Sequence, residues 1–101
     1  MREQSIAIKG VKDGLLVAVS EGEEWAAIIA DLAGRIDTQG AFFAGARITL
    51  DLGARPVRKD ELGSMKAMLE RRGVSLYAVH SESYTSIDAA SALDLRAQYT
   101  G

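Results

Sequence analysis

Polar and apolar residues alternate or recur at regular spacings along most of this chain, and the spacings divide it into strands and helices. Two β-prone runs, SIAIK and LLVAV, flank an Asp-Gly pair that is typical of a tight hairpin turn. A third run, RITLDL, alternates strictly, and a fourth, VSLYAV, follows later in the chain. The pattern therefore predicts four strands, the first two of them an antiparallel hairpin.

Three further segments have the periodicity of helices that bury one face. Apolar residues recur at spacings of three and four from Trp25 to Ile36. Ser20 and Glu23 have the spacing of a capping box, which predicts the start of this first helix. Gly34 interrupts the stripe, so the sequence leaves the end of the helix open.

The second and third helices are recognised by their apolar stripe and by their ends. In the second helix the buried stripe is expected to comprise Leu62, Met65, Met68 and Leu69. Gly73 is well placed to end that helix in a left-handed conformation. A third, alanine-rich helix, TSIDAASAL, follows Ser83 as its predicted cap.

The elements follow one another in the order β-β-α-β-α-β-α. Three helices of this length can cover one side of a four-stranded sheet. We therefore predict an α/β fold, a two-layer sandwich in which a mixed four-stranded sheet has helices on one face and leaves the other face open. At 101 residues the chain has the size of one domain, over residues 1–101, with Gln98 to Gly101 as a loose tail.

The strict alternation of the third strand is what favours an open sheet face, because a strand covered on both faces is continuously apolar. With the apolar positions turned toward the helices, the opposite face is expected to carry Ala7, Lys9, Arg47, Thr49, Asp51, Ser75 and Tyr77. Such a face is a candidate docking surface. The simpler alternative is that it only contacts water.

Phe42 and Phe43 precede the alternating strand side by side. We expect at least one ring to anchor this loop in the core, and burial of both is the simpler interpretation. An exposed ring beside the open sheet would be a candidate interface anchor.

Composition and charge exclude several function classes. The formal net charge is −2, which does not favour binding to nucleic acid. The chain has no cysteine, so disulfides and thiolate metal sites are excluded. The N-terminus lacks the apolar segment of a signal peptide, and no run is long enough to span a membrane. We therefore expect a cytoplasmic protein that does not bind the membrane directly.

Catalytic signals are poor. His80 is the only histidine, and its neighbours Ser81 and Glu82 alternate in direction along a strand, so they do not form a triad by proximity in sequence. Gly40 and Gly45 have a phosphate-loop spacing, but Ala46 and Arg47 follow where such a loop needs lysine and a hydroxyl. We predict a non-enzymatic protein without cofactor or metal.

The ordered set of short motifs resembles the family of N-terminal domains of the septum-site-determining protein MinC, over roughly residues 5–95. The residues that carry the resemblance are IKG at 8–10, GL at 14–15, FFAGA at 42–46, LDL at 50–52, EL at 61–62 and GVSL at 73–76. The chain departs from the family at Asp94, where glycine is frequent, and at Arg58, where a capping hydroxyl is common.

The resemblance implies a cell-division inhibitor domain that binds FtsZ and antagonises its polymers, with no reaction and no cofactor. In the family a C-terminal β-helix domain dimerises and binds MinD, and nothing in this chain matches that domain. Position by position, the resemblance associates Lys9 and Gly10 with FtsZ contact, and Phe42 and Asp51 with it more weakly.

The pattern and the resemblance together predict the partner-binding residues Lys9, Gly10, Phe42, Arg47, Thr49, Asp51 and Tyr77. Gly10 is expected to shape the hairpin so that a partner backbone can approach. Unpaired edge strands of a small sheet leave a monomer or a weak homodimer as the expected states.

The alternative is an anti-sigma-factor antagonist of the STAS type, which has a similar alternation of strands and helices. That family carries a phosphorylatable hydroxyl after its central strand. The corresponding stretch here, DLGARP at 51–56, has no hydroxyl, so the phosphorylation switch is missing.

Overall fold

A five-stranded mixed sheet and four helices make up the fold in the computed structural model, which describes residues 5–101. The strands are β1 Ile6–Val11, β2 Gly14–Val19, β3 Arg47–Asp51, β4 Ser75–Ser81 and β5 Arg96–Tyr99. The helices are α1 Trp25–Thr38, α2 Gly40–Phe43, α3 Lys59–Glu70 and α4 Tyr84–Ala92. The order is therefore β-β-α-α-β-α-β-α-β, with one more strand and one more short helix than the pattern predicts.

The strands are arranged in chain order from β1 to β5. β1 and β2 pair antiparallel, as the hairpin signal predicts, and the remaining neighbours pair parallel. Gly14 begins β2 with a φ of +143°, next to the carbonyl oxygen of Arg47. The hairpin turn thus rests directly on the start of β3.

The fifth strand corrects the prediction of a four-stranded sheet with a loose tail from Gln98. β5 pairs with β4 from Arg96 to Tyr99, and the Thr100 N–H donates to the carbonyl of Ser81. Every β5 residue is exposed, so this strand buries no side chain that an apolar alternation would reveal. Backbone hydrogen bonds to β4 hold it in the sheet.

One side of the sheet and the apolar faces of the helices form the core. The largest fully buried side chains are Phe43, Ile6, Ile28, Leu32, Ile48, Leu50, Leu52, Leu62, Met65, Leu69, Val17 and Val57. The predicted stripe of α3 is buried. The Trp25 indole N–H ties α1 to α3 by donating to the Glu61 carbonyl at 2.7 Å.

The start of α1 differs from the predicted capping box. The helix begins at Trp25 after Glu24, so Ser20 and Glu23 lie upstream of it. The Ser20 hydroxyl instead accepts the N–H of Gly22, within the turn that leads into the helix. The end that the sequence leaves open lies at Thr38, because α1 continues through Gly34.

At Arg58 and Asp94, where the chain departs from the family pattern, other local interactions or backbone geometry replace those of the usual residues. At the start of α3, Glu61 accepts the backbone N–H of Arg58 at 3.0 Å. A hydrogen bond from the Arg58 guanidinium also lowers the pKa of the Asp60 carboxyl. After α4, Asp94 adopts a left-handed φ of +59°, the conformation for which glycine is usual.

Candidate functional site

Two rows of side chains cross the sheet face that points away from the buried core. The strand register places in the first row Lys9, Leu16, Thr49, Ala78 and Arg96. It places in the second row Ala7, Ala18, Asp51, His80 and Gln98. Apart from Ala78, these side chains are exposed or only partly buried, so the face is open to a partner.

The structure brings five of the seven predicted site residues onto this open face. Lys9 and Thr49 belong to the first row and Asp51 to the second. Arg47 and Tyr77 lie near the beginnings of β3 and β4.

The other two predicted residues lie outside the rows. Gly10 pairs with Leu15, whose side chain is in the core, so Gly10 belongs to the opposite side of its strand. It has open space around it and no left-handed φ. Phe42 lies on α2, which leads through Ala46 into β3, so it is at the end of the sheet where β3 begins.

The two phenylalanines have separate environments. Phe43 is 0% exposed and anchors α2 in the core, whereas Phe42 is 57% exposed. Their rings meet edge to face with centroids 5.1 Å apart. The simpler interpretation, burial of both rings, is therefore wrong, and Phe42 is available to a partner.

A β-bulge positions Tyr77. Ile48 pairs with Leu76 but Thr49 pairs with Ala78, so Tyr77 is the extra residue of β4. The guanidinium of Arg47, from β3, and that of Arg96, from β5, each lie over its ring at 5.2 Å from the centroid. Tyr77 thus contacts one guanidinium group from each of the two strands that flank β4.

The open face contains a shallow groove of about 490 Å³. Its walls combine apolar surface with charge, and its lining residues are Val11, Lys12, Asp13, Leu16, Thr49, Tyr77, Ala78, His80, Arg96, Ala97 and Gln98. A depression of this kind, apolar with a few charged groups, suits a protruding element of another molecule.

Lys9, Arg47 and Arg96 form no ion pair among the residues that the structure describes. Within residues 5–101, no carboxylate lies within 4.0 Å of the charged nitrogens of Lys9, Arg47 or Arg96. Asp51 accepts the backbone N–H of Gly53 at 3.1 Å, so part of its role is to close the turn after β3. The cationic groups of the face are thereby left for an external partner.

Several residues of the face are missing from the sequence-based set. Leu16 and Ala18 come from β2, whose run LLVAV is apolar on both sides and hides its alternation. The Asp13-Gly14 signal does not give the observed register, because a two-residue turn at those positions would pair Leu16 with Val11. The turn residues are Lys12 and Asp13, and this pairs Leu16 with Lys9. The sequence pattern does not reveal Arg96, because all side chains of its strand are exposed and show no alternation of buried and exposed positions.

The comparisons with known proteins give one consistent answer. The model of the family described as "Septum formation inhibitor MinC, N-terminal domain" matches residues 6–76. The match runs from the start of β1 into β4, so it contains Lys9, Gly10, Phe42, Arg47 and Asp51.

Two curated relatives carry a related name. The chain is 31% identical over 77 residues to a "Probable septum site-determining protein MinC" of Symbiobacterium thermophilum. The aligned residues make up 75% of this chain and 34% of the relative. The chain is 26% identical over 81 residues to the protein of the same name from Heliobacterium modesticaldum, covering 80% and 28%. The chain therefore spans about a third of the length of the relatives it matches.

No solved structure matches the chain with statistical significance. Among the residues that the structure describes, no helix has both the length and the apolar character needed to cross a membrane.

Proposed function

The chain belongs to the family of MinC N-terminal domains, and from that premise we propose that it inhibits cell division by binding FtsZ and antagonising its polymers, which helps to place the septum. The observation that carries the proposal is the family match over residues 6–76. This range supplies three of the five strands completely and most of the charged side chains of the open face.

The open sheet face is the proposed contact surface. Lys9, exposed on the edge strand β1, would meet the partner first. Arg47 and Tyr77 extend the surface on β3 and β4, where they contact each other. Thr49 and Asp51 lie inward on β3, and Asp51 also holds the following turn. A rim charge such as Lys9 mainly affects how fast the complex forms.

Phe42 borders the proposed surface, and Gly10 adjoins it on the edge strand β1, although its own position faces the other side of the strand. Gly10 leaves the backbone of β1 uncovered where a partner can approach. Phe42 offers an exposed aromatic ring at the end where β3 begins, and such rings often anchor protein interfaces.

The test is to add the purified domain to assembling FtsZ and to measure the polymer that sediments. Lys9→Glu should abolish the inhibition while far-UV circular dichroism and the unfolding midpoint stay unchanged. Lys59→Glu is the matched control, because it makes the same charge change at an exposed position on α3. Undiminished polymer at high micromolar wild-type domain contradicts the proposal, and inhibition by Lys9→Glu contradicts the assigned face.

The proposal assigns this domain no catalysed reaction and no cofactor. It places the domain in the cytoplasm, where FtsZ assembles, and gives it no direct contact with membrane or nucleic acid. Binding to MinD belongs to the family's C-terminal β-helix domain and is not proposed for these residues. Family membership also removes the reason for the STAS-type alternative.

A further inference from the structure

We infer that Arg47, Tyr77 and Arg96 form a carboxylate-binding site, and that the open face uses it to bind an acidic surface of FtsZ. The inference rests on the proposed function and adds the chemistry of the partner surface. It also assigns a role to Arg96, which lies outside the residues matched by the family model.

The geometry holds both guanidinium groups in place while leaving their hydrogen-bond donors free. Each guanidinium lies 5.2 Å from the centre of the Tyr77 ring, an arrangement that restricts its orientation. Within the described residues, neither arginine side chain donates a hydrogen bond to another group of the protein. Buried side-chain polar atoms in this part of the chain all have hydrogen-bond partners, so free donors are a feature of the surface. Oriented guanidinium groups with free N–H donors match the planar, two-oxygen geometry of a carboxylate.

The strands supply the rigidity that such a site needs. Arg47 starts β3, Arg96 starts β5, and the bulged β4 lies between them with Tyr77. Side chains on a hydrogen-bonded sheet lose less freedom on binding than side chains on a loop, so more of the interaction energy appears as affinity.

The surrounding charges favour an acidic partner without making the face uniformly basic. The basic side chains are Lys9, Lys12, Arg47 and Arg96, and the acidic ones are Asp13, Asp51 and, at the rim beside the two arginines, Asp94. Four basic groups against three acidic ones leave this face positive, although the chain as a whole has a net charge of −2.

A protein surface fits this face better than an anionic membrane does. The groove includes the apolar side chains of Val11 and Leu16 next to the charged groups, a mixture typical of protein interfaces. The interspersed carboxylates Asp13 and Asp51 would be repelled by a continuous sheet of anionic headgroups.

The first experiment measures the dissociation constant of the domain for FtsZ by fluorescence anisotropy. Arg96→Glu and Arg47→Glu should each weaken binding about tenfold, because a favourable charge contact becomes a repulsive one. Lys59→Glu, with the same charge change on α3, should leave the constant within about twofold. Arg96→Lys should be intermediate, since it keeps the charge but loses the planar donors.

A variant that is expected to strengthen binding controls for effects of misfolding. Asp94 has a left-handed φ, which asparagine also tolerates, so Asp94→Asn keeps the turn. Among residues 5–101, it removes the one carboxylate that lines the depression shared by Arg47, Tyr77 and Arg96. It should tighten binding to FtsZ about twofold, a gain that no loss of folded protein can produce.

A second probe separates this inference from the proposed function. A short polyglutamate peptide is titrated into the isotopically labelled domain, and the NMR signals of the Arg47 and Arg96 Nε–H groups and the Tyr77 ring are followed. These signals should shift in the wild type. In Arg96→Glu, which has no Arg96 signal, those of Arg47 and Tyr77 should stay in place. Polyglutamine of equal length should shift none of them.

The outcomes are distinct. If the domain does not bind FtsZ but polyglutamate shifts the three residues, the proposed function fails and the carboxylate site stands. If FtsZ binds equally to wild type, Arg47→Glu and Arg96→Glu, the inference is overturned and the proposed function remains. Peptide-induced shifts confined to other residues, or cosedimentation with phosphatidylglycerol vesicles without any peptide response, also overturn it.

Discussion

Gly14 is the residue in the hairpin at which the backbone excludes a side chain. Its φ of +143° is a conformation that residues with a Cβ rarely adopt, and a Cβ there would collide with the carbonyl oxygen of Arg47. Gly14→Ala should therefore lower the free energy of unfolding by about 3 kcal/mol, from backbone strain and displacement of β3. Urea denaturation followed by tryptophan fluorescence at Trp25 measures the change.

The matched control for this prediction is Gly10→Ala. Gly10 lies in the preceding strand with no atom near its absent Cβ and no left-handed φ, so stability should change by less than about 0.5 kcal/mol. Equal losses in both variants would show that the strain does not come from the contact between Gly14 and Arg47.

At the scale of elements, Ser86 joins α4 to the loop between β3 and α3. Its buried hydroxyl donates to the Arg55 carbonyl and accepts the Val57 N–H, both at 2.8 Å. Ser86→Ala leaves two backbone groups without partners and should destabilise the fold by about 1–3 kcal/mol. Thermal and urea unfolding measure the loss.

Ser91→Ala on the same helix makes the identical chemical change at an exposed position. It should be neutral or slightly stabilising, because alanine has the higher helix propensity. A loss in Ser91→Ala as large as in Ser86→Ala would mean that the effect comes from α4 itself and not from its link to the loop.

The elements that the sequence predicts are those that bury apolar side chains. The stripe of α3 and the alternation of β3 follow from burial on one side, so pattern and structure agree there. β5 pairs with β4 through its backbone, and its side chains, which include Tyr99 stacked on Tyr84, stay exposed. No buried alternation therefore marks Arg96 to Tyr99 in the sequence. The predicted capping box was wrong because the spacing of Ser20 and Glu23 also occurs in turns.

The candidate site was predictable only as far as strand alternation extends. Lys9, Thr49 and Asp51 were placed on one face because period-two spacing fixes their direction within each strand. Which residues of different strands meet depends on register, and the bulge at Tyr77 changes that register in the middle of β4. The contact of Arg47 and Arg96 with one ring was therefore not accessible from spacing.

At the scale of the whole molecule, charge is distributed unevenly over the two sides. The open face has a positive surplus while the chain has a net charge of −2, so the remaining surface is negative. A molecule polarised in this way is oriented by the field of an acidic partner before contact. Orientation of this kind raises the association rate and weakens as salt screens the field.

This polarity predicts how the binding kinetics respond to salt. Raising the salt concentration from about 50 mM to about 300 mM shortens the screening length from about 14 Å to about 6 Å. Association with FtsZ should therefore slow several-fold while dissociation changes much less. Lys9→Gln should flatten the salt dependence of the association rate, and Lys59→Gln on α3 should retain the wild-type slope. Stopped-flow fluorescence gives both rate constants. Equal slopes for wild type and Lys9→Gln would show that the partner approaches another side of the domain.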